Sequence, residues 1–322
     1  MSSESTLSFF FPDYTSQQLL SNEAMVEFKD ILSARALIND WQYEFCQQIG
    51  FSENIIPWDR LRANQFNIDK KINTVVCCDP VMMQMTHRGA YLWGQQQLNF
   101  TKDEVIKIIA QINQKLMGDD ECFYLLDNNK WLYSNKKELY LNQTSFEEYI
   151  GKDRFGFSYD GKNGVFWDKL ATEIQMLIKQ MMDYQGLSSC AAEMIVNVHF
   201  WGDTSNKLNL REQKLSRKNL LVFCSDPLLD DFCQQLGLSC EDFMKHHYKI
   251  NAQENNNTLL ILTEKECSNE NLIIKYAIAQ AKKNKVKNIQ FICQDKLMVI
   301  NQTNYLYTKI KHLVLMLLGK NS

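Results

Sequence analysis

The first residues in this chain that could do chemistry are two carboxylates placed just beyond apolar strands. Asp79 follows Thr74-Val-Val-Cys-Cys78, and Asp226 lies just past Leu220-Leu-Val-Phe-Cys224. α/β sheets gather ligands beyond the carboxyl ends of their strands, so an acid there can meet a metal ion or a phosphate. Each is also followed by proline, and Asp-Pro is an ordinary way to end a strand and begin a turn. The second candidate is Asn197-Val-His-Phe-Trp-Gly202, an aromatic strand that stops at glycine. At a strand period of two, His199 and Trp201 share one face, which could hold a ligand ring or a phosphate. The plainer reading of that face is a core tryptophan beside a satisfied histidine. Glu173 is the third, a carboxylate at the rim of a helical apolar stripe, to be found half-exposed or buried with a partner.

Other chemistries lose their usual warrant. The five histidines and ten cysteines include no i, i+4 histidine pair and no CxxC spacing of the kind zinc sites use. Cys77-Cys78 and His246-His247 are adjacent pairs whose side chains diverge on a strand or a helix. No GxSxG, GxGxxG or GxxxxGK[ST] occurs, so a hydrolase elbow, a dinucleotide fold and a P-loop are not supported. A formal net charge of −3 without any block of Lys or Arg leaves no footprint for a phosphate backbone, so nucleic acid is not an expected partner. Leu7 to Phe11 is too short for a signal peptide, and the apolar tail His312 to Leu318 is too short to cross a bilayer. A cytoplasmic protein with reduced thiols and no membrane partner is the expectation.

The elements that must position these residues follow from periodicity. Strands are expected at Leu7–Phe11, Thr74–Cys78, Ala90–Trp93, Leu220–Cys224, Leu259–Leu262, Ile289–Cys293 and Leu297–Ile300. Cys122–Leu126 and Trp131–Tyr133 form a hairpin across Asp127-Asn-Asn129. Met25, Phe28 and Leu32, and then Trp41, Phe45 and Ile49, recur at helical spacing. Thr101 and Glu104 make a capping box ahead of the stripe Val105, Ile108, Ile109, Ile112 and Leu116, with Gly118 as the stop. A long helix from about Phe166 to Asp183 lines up Phe166, Leu170, Ile174, Leu177 and Met181. Further helices are expected over Pro227–Leu236, over Leu272–Lys282 and from about Tyr305. The alternation of strand and helix favours an α/β class: a mixed, mostly parallel sheet flanked by helices, with a smaller α+β lobe built on the central hairpins. The lobes are expected at 1–72 with 203–322, and at 73–202.

Three stretches taken in order carry a resemblance. Val76-Cys-Cys-Asp-Pro-Val81, Lys130-Trp-Leu-Tyr133, and Glu173-Ile-Gln-Met-Leu177 followed by Phe200-Trp-Gly202 resemble the RpfE-type regulatory proteins of bacteria. Those are themselves similar to part of the archaeal-type cofactor-independent phosphoglycerate mutases. The resemblance implies an alkaline-phosphatase-like α/β fold in which a metal-binding domain is paired with a substrate-binding domain, and what matches is mainly the latter. It also implies two divalent ions, a Ser or Thr nucleophile, and Asp and His ligands near both ends of the chain. None of these can be placed: Pro12-Asp13-Tyr14 follows the first strand, and no Asp–His cluster follows residue 250. The chain also carries Met82 and Gln84 where the pattern has His and Arg, His199 where it has Trp, and Asp203 where it has Gly. Without metal ions to neutralise phosphate charge and activate a nucleophile, phosphoryl transfer loses its main stabilising terms.

What the resemblance carries over is Asp79, Trp131, Glu173, Gln175, Trp201 and Gly202, as marks of a shared pocket or shared packing. With His199 these are the candidate ligand-binding residues. The expectation is a mutase-like protein lacking the metal and nucleophile residues, non-catalytic, which regulates or binds a phosphorylated small molecule or a protein partner. No cofactor is expected. An active mutase or phosphotransferase, needing Mn or Mg, and a protein-interaction module are the alternatives.

Overall fold

Short turns force neighbouring strands antiparallel, while long excursions allow parallel ones, and this chain uses both. The structure is a computed structural model. It describes residues 6–10, 33–36, 41–53, 55–66, 68, 71–87, 89–95, 98–150, 153–154, 159–185, 194–205, 215, 220–224, 226–241, 257–261, 288–292 and 296–301. In chain order the elements are β1 (Thr6–Phe10), β2 (Ser33–Ala36), α1 (Trp41–Ile49), α2 (Trp58–Asn64), β3 (Thr74–Thr86), β4 (Gly89–Gly94), α3 (Lys102–Lys115), β5 (Glu121–Asp127) and β6 (Lys130–Asn135). They continue with β7 (Asn142–Gln143), a 3-10 turn at Phe146–Tyr149, β8 (Asp153–Arg154), α4 (Gly164–Gln185), β9 (Met194–Asp203) and β10 (Leu220–Cys224). The last are α5 (Pro227–Gln235), β11 (Ser239–Glu241), β12 (Asn257–Ile261), β13 (Asn288–Ile292) and β14 (Lys296–Asn301). The helices expected at 25–32, 272–282 and after 305 lie outside the described residues.

Backbone contacts divide the chain into two units, Met1–Ile56 with Asn209–Ser322, and Pro57–Leu208. The first holds a seven-stranded sheet in the order β11-β10-β12-β1-β13-β14-β2. Its first five strands run parallel; β14 and β2 follow in antiparallel pairings. Phe45 and Phe51 meet Phe232 of α5 with ring centroids 6.5 and 5.3 Å apart. Asp226 serves as the N-cap of α5, its Oδ1 accepting from the N–H groups of Leu228 and Leu229. The turn reading is therefore the one this carboxylate fulfils.

The second unit does not follow a mostly parallel plan. Its sheet, β5-β6-β3-β4-β8 with β9 on β3, is antiparallel at every pairing. The cause is local: β3 reaches β4 and β5 reaches β6 through turns of two residues, too short for a crossover. A second correction concerns Asp79-Pro80, which does not end a strand, because β3 runs on to Thr86. β6 pairs with β3 only as far as Cys77, and β4 takes over at Met82, so Pro80 sits where one flank of β3 has no partner strand. A sheet tolerates proline in such a gap.

One face of this sheet carries the main core. Val76, Cys78, Met82, Trp131, Tyr133, Val196, Val198 and Phe200 pack there against α3 and α4. The capping box of α3 forms as expected, with Thr101 Oγ1 accepting from the Glu104 N–H while Glu104 reaches back to the Thr101 N–H. α4 buries Leu170, Ile174, Leu177 and Met181, and adds Trp167, Ala171 and Ile178 to the stripe. Its first residue must be glycine: a Cβ on Gly164 would lie 1.9 Å from the Tyr159 carbonyl oxygen.

Candidate functional site

Residues that pair across neighbouring strands share a face, so the register sets Cys77, Asp79, His199 and Trp201 together on the face away from α3 and α4. Asp79 pairs with His199 and Cys77 with Trp201. Helix α2 lies against β3 and β6 on this side and delivers the residue that organises the cluster, Arg62.

Arg62 and Asp79 form a bidentate ion pair, Nη1 to Oδ1 at 2.6 Å and Nη2 to Oδ2 at 3.0 Å. Both residues are almost wholly buried, at 4% and 2% exposure. The main-chain N–H of Trp131 also donates to Oδ1 at 3.1 Å, and the indole Nε1 of Trp201 donates to Oδ2 at 2.8 Å. Arg62 Nη1 donates as well to the Trp131 carbonyl at 2.8 Å, and the guanidinium carbon sits 5.2 Å from the centre of the Trp201 ring. Each oxygen of Asp79 therefore accepts two hydrogen bonds, which is the capacity of a carboxylate. Burial alone would favour an uncharged Arg62, but the Asp79 charge outweighs it and holds the guanidinium protonated above its ordinary range.

The structure brings Asp79, Trp131 and Trp201 together in this clamp. Trp131 enters through its main chain, while its ring points into the core and its Nε1 donates to the Asn128 carbonyl at 3.1 Å. His199 shares the face of Asp79 but turns to another partner: its Nε2 lies 2.8 Å from the Thr144 carbonyl, which can only accept, so Nε2 carries the proton. Its ring lies between Tyr149 at 5.8 Å and Tyr159 at 6.1 Å. Glu173 and Gln175 are not gathered with the others, because α4 packs on the opposite face of the sheet. Glu173 is half-buried and pairs with Lys169 at 3.8 Å.

Gly202 has φ of 128°, a backbone conformation that favours glycine, and an added Cβ would stand 3.7 Å from the Asp59 carboxyl carbon. Asp59, in the first turn of α2, is buried, and burial with the nearby Asp203 charge pushes its carboxyl up to about 6. From Gly202 the chain pairs with β7 and then edges an open groove of about 550 Å³ with a mixed polar and apolar lining. Its walls include Glu138, Tyr140, Lys162, Asn163, Thr204 and Ser205. Asn163 Oδ1 accepts from the Tyr140 N–H at 2.7 Å, and Thr204 and Leu141 exchange hydrogen bonds, so the walls are fixed to one another. Lys162 is exposed and makes no ion pair among the described residues.

The residues that sequence reasoning missed are Arg62, Asp59 and this groove. Trp58-Asp-Arg-Leu-Arg62 carried a readable signal, a short helix opening after proline, but two arginines compete for the inward position. Gly161-Lys-Asn-Gly164 carries the turn signal of the segment that supplies Lys162 and Asn163 to the groove. Among the described residues, no three His, Cys, Asp or Glu side chains gather closely enough to hold a metal ion. No helix there is long and apolar enough to cross a membrane.

No protein-family model matches the chain, and no curated protein matches it in sequence. Several solved structures are similar in overall fold, among them the following two. One is the cofactor-independent phosphoglycerate mutase of Thermoplasma acidophilum, at TM-score 0.40 and 10% identity over 92% of this chain and 89% of that one. The other is the PH0037 protein of Pyrococcus horikoshii, at TM-score 0.42 and 8% identity over 94% of this chain and 88% of that one. At that level the likeness assigns no family, site or activity to this chain.

Proposed function

We propose that this chain is a mutase-like protein that binds a small phosphorylated molecule without turning it over. The observation that carries the reading is the occupancy of Asp79. A carboxylate that ligates a metal ion or moves a proton needs a free lone pair, whereas both oxygens of Asp79 are engaged by Arg62, Trp131 and Trp201. This mid-strand acid thus works as a clamp in the fold. Among the described residues, no three His, Cys, Asp or Glu side chains gather as the two-metal centre of an active mutase would require.

Binding is assigned to the groove beside Lys162. The Lys162 cation and the Asn163 side-chain amide are suited to a phosphate monoester. The Thr204 and Ser205 hydroxyls already donate to the Leu141 carbonyl and to Asp203, and Glu138 is the one carboxylate among the described residues of the lining. The test uses the full chain, treated with a chelator, and thermal unfolding with 3-phosphoglycerate, 2-phosphoglycerate or inorganic phosphate. The expected result is a midpoint raised by a phosphoglycerate and moved less by phosphate, because a ligand that prefers the folded state must stabilise it. A parallel assay with added Mn²⁺ should show no turnover. Turnover with Mn²⁺ well above that of the chelator-treated chain would establish the active-mutase alternative instead.

A further inference from the structure

The sheet of the second unit ends at β5, and an edge strand ordinarily leaves a row of backbone donors and acceptors open to another chain. β5 is a hazardous edge. Between Glu121 and Asp127 it reads Cys-Phe-Tyr-Leu-Leu, with no charge, no proline and no glycine, the composition that favours strand pairing between copies. In an antiparallel ladder the outward groups fall on alternate residues, here Glu121, Phe123 and Leu125.

Two of the three are already engaged. Glu121 donates its N–H to the Gly118 carbonyl at 3.1 Å. Phe123 gives both of its outward groups to one side chain: its N–H donates to Asn113 Oδ1 at 2.8 Å, and its carbonyl accepts from Asn113 Nδ2 at 2.9 Å. This is the double exchange that two opposed residues make in an antiparallel ladder, with a side-chain amide standing where a peptide of the next strand would be. Asparagine is a poor helix former, yet it occupies the last turn of α3. The helix itself is anchored on the core through Val105, Ile108, Ile109 and Ile112, so the amide is held rigidly against β5.

We propose that Asn113 is an edge guard, a strand mimic that prevents β5 from pairing with β5 of a second copy of this chain. The geometry names the contact that is suppressed. With the guard gone, Phe123 would exchange both hydrogen bonds with Phe123 of the other copy, and Leu125 would stand opposite Glu121, in the self-complementary arrangement of a two-fold dimer.

The test compares the full natural chain with Asn113→Ala by light scattering over a wide concentration range. Amide exchange at Phe123 is followed in both, and circular dichroism verifies folding. Asn113→Ala should self-associate about tenfold or more tightly than the natural chain. Its Phe123 amide should exchange faster at dilution and regain protection on association. Adding Leu125→Pro, which removes an outward N–H, should return the variant to the natural chain's mass. Should Asn113→Ala fail to fold, Asn113→Asp keeps the acceptor for the Phe123 N–H, loses the donor, and should associate in the same sense. An unchanged mass at every concentration overturns the proposal. So does an association that survives Leu125→Pro, since the contact would then lie elsewhere.

Discussion

A buried guanidinium and carboxylate stabilise a fold only when each is fully hydrogen-bonded, because the cost of taking them out of water is large. Asp79 meets that condition through Arg62, Trp131 and Trp201. Arg62→Ala and Asp79→Ala each leave one buried charge behind and should cost about 3–5 kcal/mol of stability in urea unfolding. The double change Arg62→Ala with Asp79→Ala should cost clearly less than the sum of the two. A strictly additive result would mean that the clamp is not a unit. Asp59 acts in the opposite direction. Burial holds its folded-state carboxyl at about 6 against an ordinary 3.8, so the folded chain takes up its proton first as pH falls. Stability from this group therefore increases as pH drops from about 7 towards 4, and is lost again as pH rises through 6. Asp59→Asn should flatten that slope and add on the order of 2–3 kcal/mol at pH 8, read from urea midpoints at several pH values.

At the scale of elements, what could be read from the sequence was whatever depends on neighbours along the chain. The capping box at Thr101, the stripes of α3 and α4, the β5–β6 hairpin and the turn at Asp226 all follow from local chemistry, and all form. Asp79-Pro80 reads as a turn because the dipeptide itself does not disclose that β3 has an unpaired flank there. Arg62 was missed because only tertiary packing decides which arginine of α2 turns inward. Glu173 and Gln175 could not be separated from Asp79 by pattern, since a sheet stands between them. The start of α4 gives a sharp test of one local requirement. Gly164→Ala sets a methyl group against the Tyr159 carbonyl and should cost about 1–3 kcal/mol, whereas Ala at the exposed Val165 should cost almost nothing.

For the whole molecule, the division at 56/57 and 208/209 makes the second unit one continuous segment with its own core. The fragment Pro57–Leu208 should therefore fold alone with a cooperative transition, and a fragment that stays unfolded would show that the core needs the rest of the chain. That unit holds both the clamp and the groove, which separates holding the fold from meeting a ligand. The most direct test of this separation is calorimetry of 3-phosphoglycerate binding to the chelator-treated full chain, beside Lys162→Ala. The prediction is binding without metal that weakens by about tenfold or more in the variant, as loss of a charge-assisted contact requires. Binding that appears only when Mn²⁺ is added, or that is equal in the natural chain and Lys162→Ala, would contradict it.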